Sequence, residues 1–141
     1  MLGVNGKNSE FHAAMGLCVL PDVGDIIQKR KLICNTYDAE FGALDIVFSN
    51  IPKNYEYTYA YYPVIFHDEQ QLLRVKENLL KNDINPRRYF YPSLNTLHFL
   101  DTRQSCPISE DISSRVLCLP LYDRLDLHDV VKIAGFVKNV L

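Results

Sequence analysis

Five consecutive residues, Arg87-Arg88-Tyr89-Phe90-Tyr91, set two cations beside three aromatic rings. Guanidinium groups suit phosphate oxygens because their N–H donors form a planar fork. Aromatic planes can stack on a ring-shaped ligand or pack into a core. The plainer roles are a solvated strand end for Arg87 and Arg88, and core packing for whichever ring points inward. A second aromatic set, Tyr55, Tyr57, Tyr59 and Tyr61, falls on alternate positions. It reads as a half-buried sheet face, or one covered by a partner, because no basic groove accompanies it to make a base-stacking platform. His12, His67, His98 and His128 have no metal-ligand spacing, so no metal is assigned. Asp22, Asp25 and Asp38 form no acid–base pair. No nucleophile–base constellation and no Gly-rich phosphate loop is found. The eight lysines sit mostly at polar helix or loop positions.

These residues need elements to hold them. Residues 8–20 read as a helix that Asn8 or Ser9 can cap, since a short side-chain oxygen reaches free N–H groups in the first turn. Val23, Ile26, Ile27, Ile33, Cys34, Tyr37 and Phe41 follow a 3.6-residue period, which predicts a second helix over 22–41 ending at Gly42. Asp45–Phe48 reads as a short strand and Tyr55–Phe66 as the strongest one. An amphipathic helix is predicted over 68–83, a strand over Arg87–Tyr91 and an irregular loop over 93–107. A short helix follows over Ser109–Arg115 with Ser109 as its cap. Cys118–Tyr122 is an extended piece broken by Pro120. A last helix runs from about Asp126 to Val140. The order predicts an α+β fold, with a small, mostly antiparallel sheet packed with helices. No repeat or linker interrupts it, so 1–141 reads as a single domain.

The bulk numbers set limits. A chain of 141 residues, 48% hydrophobic and 23% charged, can bury a real core. A formal net charge of −2 leaves no electrostatic footprint for nucleic acid or an anionic membrane. The one dense basic run, Lys29-Arg30-Lys31, reads as a solvated helix face. No apolar run reaches the roughly 20 residues of a membrane helix, and the first residues lack a signal-peptide pattern. Cys18, Cys34, Cys106 and Cys118 lie in apolar surroundings without a Cys-x-x-Cys pair, so buried reduced thiols are expected. These features together predict a cytoplasmic protein.

Four stretches, in order, carry a resemblance. Gly3-Val4-Asn5-Gly6-Lys7-Asn8-Ser9-Glu10-Phe11-His12-Ala13-Ala14-Met15-Gly16-Leu17 is similar to a Gly-x-Asn-x-(Arg/Lys)-Met-(Ser/Asn)-Glu signature. Tyr61-Tyr62-Pro63-Val64, the run Arg87 to Leu94, and Arg115-Val116-Leu117-Cys118-Leu119-Pro120-Leu121-Tyr122 match later motifs, and Gln28-Lys29-Arg30-Lys31 with Tyr37 fits between them. The chain resembles the C-terminal portion of the DegT/DnrJ/StrS-type sugar aminotransferases, pyridoxal-phosphate enzymes of the aspartate-aminotransferase fold. The Arg-Arg-Tyr-Phe-Tyr-Pro run is nearest to enzymes acting on dTDP-4-keto-6-deoxyglucose.

The resemblance implies amino transfer, usually from glutamate, onto the keto carbon of a nucleotide-linked sugar. It implies that Asn5 reaches the cofactor phosphate of the other subunit. It places Lys7, Arg88, Tyr89 and Tyr91 on the substrate side. The fold implied is the small domain of the aspartate-aminotransferase type. Asn8 stands where the family usually has Met, and Phe90 where a His is frequent. The family's phosphate loop, its Asp for the pyridine nitrogen and its Schiff-base Lys all precede the Gly-x-Asn motif, which here starts at residue 3. The expectation is a fragment that binds no pyridoxal phosphate alone and is inactive alone. Its expected partner is a second copy of itself or a chain with the missing large domain. A non-catalytic binding or interaction module that kept the fold is the competing reading.

Overall fold

The computed structural model describes residues 6, 8–42, 44, 47–48, 55–99 and 104–141. Helix α1 spans Glu10–Val19, and Ser9 caps it by accepting a hydrogen bond from the His12 N–H. A 3-10 turn over Leu20–Asp22, with Pro21 supplying a fixed φ, leads into α2, Val23–Phe41. Strand β1, Val47–Phe48, is followed by β2, Tyr62–Ile65. Helix α3, Glu69–Lys81, starts at Asp68, whose side chain accepts from the Gln71 N–H. Helix α4, Pro107–Arg115, runs directly into β3, Val116–Leu119. Helix α5, Leu127–Lys138, is capped by Asp126 through the His128 N–H.

The sheet has the order β1-β2-β3 and is antiparallel throughout, with Val47 opposite Ile65 and Val64 opposite Leu117. On the far side of β3, Arg87 exchanges both backbone hydrogen bonds with Cys118 at 3.0 and 2.8 Å. Helices α2, α3 and α5 pack together, and their apolar stripes meet the sheet in one core. Ile33, Tyr37 and Phe41 enter it from α2, Leu72, Val75 and Leu79 from α3, and Val130, Ala134 and Val137 from α5. Tyr37 lies between Phe41 and Tyr62, its ring centre 4.6 Å from that of Tyr62. Its hydroxyl donates to the Pro120 carbonyl, and the Tyr62 hydroxyl donates to Asp38 at 2.8 Å. The polar ends of both buried rings are therefore satisfied.

Several expectations are corrected. The strand predicted over Tyr55–Phe66 pairs only at Tyr62–Ile65. Tyr59 has φ 50, a left-handed conformation that no strand accommodates, and the Tyr57 hydroxyl donates back to the Tyr61 carbonyl. Arg87–Tyr91 is no strand; a single bridge at Arg87 is all that forms. Strand β3 starts two residues earlier than expected and stops before Pro120, which has no N–H for the ladder. Helix α4 starts at Pro107, so Ser109 lies within it and is not its cap. Cys34 and Cys118 are buried, but Cys18 and Cys106 are exposed.

Helix α1 buries none of its residues. Phe11 is 73% and Leu17 71% exposed, and the apolar surface continues over Leu20 to Val23. The period read in α2 therefore has two parts. Ile33, Cys34, Tyr37 and Phe41 face the core, while Val23 stays exposed and Ile26 and Ile27 are half-buried.

Candidate functional site

The loop that follows the Arg87 bridge carries the predicted site, and side chains fix it at both ends. The Arg88 guanidinium turns inward. Its Nη2 donates to Glu69 Oε1 and to the Ser114 carbonyl, each at 2.8 Å. These bonds tie the loop to the start of α3 and the end of α4. The guanidinium carbon also lies 3.6 Å from the Tyr91 ring centre, within cation–π range. Arg88 Nε is buried with no hydrogen-bond partner. The guanidinium, read from sequence as a substrate-side group or a solvated strand end, is thus engaged within the chain, and Arg88 holds the plane of Tyr91.

Tyr89 is half-buried and packs between rings. Its ring stacks on Phe90 at 4.1 Å and tilts against Tyr61 at 5.3 Å. Side-chain hydrogen bonding with Tyr89 raises the Tyr61 pKa above its ordinary value, desolvation adds, and the Arg87 charge opposes the rise. The Tyr89 carbonyl accepts from the Cys118 thiol at 3.8 Å, and burial raises that thiol's pKa. Phe90 remains 63% exposed and Tyr91 51%. The loop therefore presents aromatic faces on a rigid base.

Past Pro92 a polar network fixes the other end. Ser93 is buried and donates to Asn95 Oδ1 at 2.6 Å. It has one hydroxyl proton, so Ser109, 2.7 Å away, must be the donor in their contact. Asn95 Nδ2 donates to Glu110 Oε1 and to the Gln104 carbonyl. Glu110 also accepts from the Cys106 N–H, which is the main reason its carboxyl is held below the usual range. The stretch 93–107, read from sequence as irregular, contains a 3-10 turn at Leu94–Thr96.

Arg88, Tyr89 and Tyr91 are thus brought together on one loop. Asn5 and Lys7 lie outside the described residues. Sequence reasoning missed Glu69, Ser93 and Asn95. The Ser-x-Asn spacing after Pro92 was the available signal, since short polar side chains there make local turns. No group of side chains suited to a metal ion occurs among the described residues.

Such a loop, with its aromatic planes turned to solvent and its cation turned inward, can bind and orient a ring-shaped ligand. The DegT/DnrJ/EryC1/StrS aminotransferase family profile matches residues 1–138, and the chain belongs to that family. It is 34% identical over 139 residues to a dTDP-4-amino-4,6-dideoxy-D-glucose transaminase of Escherichia coli, a match covering 93% of this chain and 38% of that protein. A protein of the same description from Shigella dysenteriae is 28% identical over 99% of this chain and 40% of its own length. The chain therefore spans about 38% of the length of the first of these relatives. The crystal structure of the aminotransferase TlmJ from Streptoalloteichus hindustanus superposes with a TM-score of 0.85 at 22% identity, covering 97% of this chain and 37% of that one.

Pyridoxal phosphate is the family's cofactor. Its attachment needs a lysine amine partly removed from water. Among the described residues, Lys29, Lys31, Lys81, Lys132 and Lys138 are exposed and Lys76 is half-buried. Lys81 pairs with Glu77, Lys132 with Asp129 and Lys138 with Glu40. Among the described lysines only Lys76 is partly removed from water, so the other described lysines do not fit a covalently held cofactor. No described helix is long and apolar enough to cross a membrane.

Proposed function

We propose that this chain is the sugar-facing, C-terminal part of a nucleotide-sugar aminotransferase, with the fold of the small domain of the aspartate-aminotransferase type. The assembled enzyme moves an amino group from glutamate onto the keto carbon of a nucleotide-linked 4-keto-6-deoxy sugar. The observation that carries this reading is the family match over 1–138 together with coverage of only 38% of the E. coli relative. In the assembled site Tyr89 and Tyr91 line the sugar and Arg88 steadies Tyr91. Asn5 serves the cofactor phosphate across a dimer interface and Lys7 meets the substrate. Lysine chemistry comes from residues beyond this chain.

The exposed apolar surface of α1 supports a docking role. Single exposed apolar residues are ordinary, but a helix that buries nothing and exposes Phe11, Met15 and Leu17 needs a cover. The cover is the large domain or a second copy of the chain.

The test is borohydride trapping of the chain with pyridoxal phosphate, followed by peptide mapping, beside a glutamate-dependent amination assay on dTDP-4-keto-6-deoxyglucose. The chain alone should show scattered, substoichiometric labelling and no turnover. Adding a polypeptide that carries the family's Lys region should restore turnover. Stoichiometric labelling of one lysine in the isolated chain would overturn the reading.

A further inference from the structure

Behind the aromatic loop, two clefts of about 400 and 420 Å³ lie side by side and share Asn85, Pro120 and Tyr122 as walls. They form one groove with two chemically different ends. At one end are Tyr61 and Arg87. At the other are Asn82, Asp83 and the ion-paired Asp129 and Lys132, over an apolar floor that includes Ile133 and Phe136. Arg87 is held by its backbone bridge to Cys118, yet among the described residues no hydrogen bond or ion pair engages its side chain. The Tyr122 ring is 49% exposed. Among the described residues no hydrogen bond engages the Tyr122 hydroxyl, which lies close enough to Tyr37 to act on it electrostatically, or the Asn85 amide.

Each feature suits one part of a single kind of ligand. A free guanidinium on a rigid backbone suits a phosphate. An exposed aromatic face suits the apolar face of a sugar ring. Amides and a carboxylate suit hydroxyl groups, which donate and accept. The size of each cleft falls within the range of small-molecule sites, about 300–1,000 Å³. We propose that this groove binds a sugar phosphate, with the phosphate on Arg87, the ring against Tyr122 and its hydroxyls toward Asn85 and Asp83. Phe90 and Tyr91 line neither cleft, although Tyr61 at one end packs against Tyr89, and binding here does not require that the chain take part in amination.

Isothermal titration of the full chain with glucose 1-phosphate, dTDP-glucose and inorganic phosphate tests this. Glucose 1-phosphate should bind, and inorganic phosphate at least about tenfold more weakly. Arg87→Ala should weaken sugar-phosphate binding about tenfold or more, as loss of a charge-assisted bond implies. Arg87→Lys should recover part of the loss, and Tyr122→Ala should weaken binding with the fold intact by circular dichroism. Lys81→Ala, at an exposed residue that lines neither cleft, should leave it unchanged. Tighter binding of dTDP-glucose, equally sensitive to Arg87→Ala, would identify a nucleotide-linked sugar as the source of the phosphate. The proposal is overturned by no binding of either sugar, by equal affinity for inorganic phosphate, or by affinity that Arg87→Ala leaves unchanged. An effect of Tyr91→Ala alone would place the ligand on the aromatic loop and overturn the groove while sparing the aminotransferase reading.

Discussion

Arg88 lies with its guanidinium carbon 3.6 Å from the centre of the Tyr91 ring while its Nη2 joins Glu69 and the Ser114 carbonyl. One side chain thus links α3, α4 and the exposed aromatic loop. Charge-assisted hydrogen bonds contribute about 1.5–3 kcal/mol and a cation–π contact about 0.5–2. Glu69 is 43% exposed, which lowers the pair's share. Arg88→Ala should therefore cost about 2 kcal/mol in urea unfolding. Arg88→Lys should recover less than half, because an ammonium keeps the charge but loses the fork and the planar stack. A cost within about 0.5 kcal/mol of zero for Arg88→Ala would show that the loop is held by the Ser93 network alone.

The Tyr62 hydroxyl donates to Asp38, an exposed residue. Removing the donor leaves an acceptor that water can reach, so no buried group is stranded. Tyr62→Phe should then cost about 1 kcal/mol, the net worth of one hydrogen bond. Leu72→Ala, at a fully buried position of α3, should cost about 2–5 kcal/mol because it leaves a cavity. Equal losses for the two variants in denaturant unfolding would contradict this ranking.

Stability should fall in alkali. Burial, with the Asp38 charge adding, pushes the Cys34 thiol from 9.0 up to about 12. Burial also raises Tyr37, and burial together with the Asp38 hydrogen bond raises Tyr62. All three groups hold their protons more tightly when folded. Above pH about 9 the unfolded chain releases protons that the folded chain keeps, so stability decreases as pH rises. Below that pH the contribution is complete. Cys34→Ala should reduce the loss between pH 9 and 10, leaving the share of Cys118, whose thiol burial also raises, and the tyrosine part that begins near 10. An unchanged slope in urea midpoints across this range would refute the assignment to Cys34.

How far the sequence revealed this structure depended on whether a signal was local. The helices α3 and α5 could be read because their periods and their caps, Asp68 and Asp126, lie within a few residues of one another. Strand lengths could not. The tyrosine alternation over 55–61 has the period of a strand, but β2 extends only as far as β3 offers partners, from Val116 to Leu119. Pairing length belongs to the partner, not to the segment. In the site, the types of Arg88, Tyr89 and Tyr91 were visible. Which way Arg88 turned was not, since that follows from Glu69, 19 residues away in the chain. The exposed face of α1 was not legible, because the pattern of Phe11, Met15 and Leu17 alone does not tell core from interface.

The cysteines offer a direct reading of that face. Cys18 lies on α1, on the helix that buries nothing, and Cys106 lies at the start of α4. Both are exposed, whereas Cys34 and Cys118 are buried with thiols raised by desolvation. The thiolate is the reacting species, so burial slows modification both by blocking access and by suppressing ionisation. A chromogenic disulfide reagent at pH 8 should modify two thiols quickly in the native chain and all four in denaturant. If α1 docks on the large domain or on a second copy, Cys18 alone should become slow when that partner is added or when the chain is concentrated, with Cys106 unchanged as the internal control. Fast modification of Cys18 at every concentration and with every partner would remove α1 from the interface and leave its apolar face without the role proposed for it.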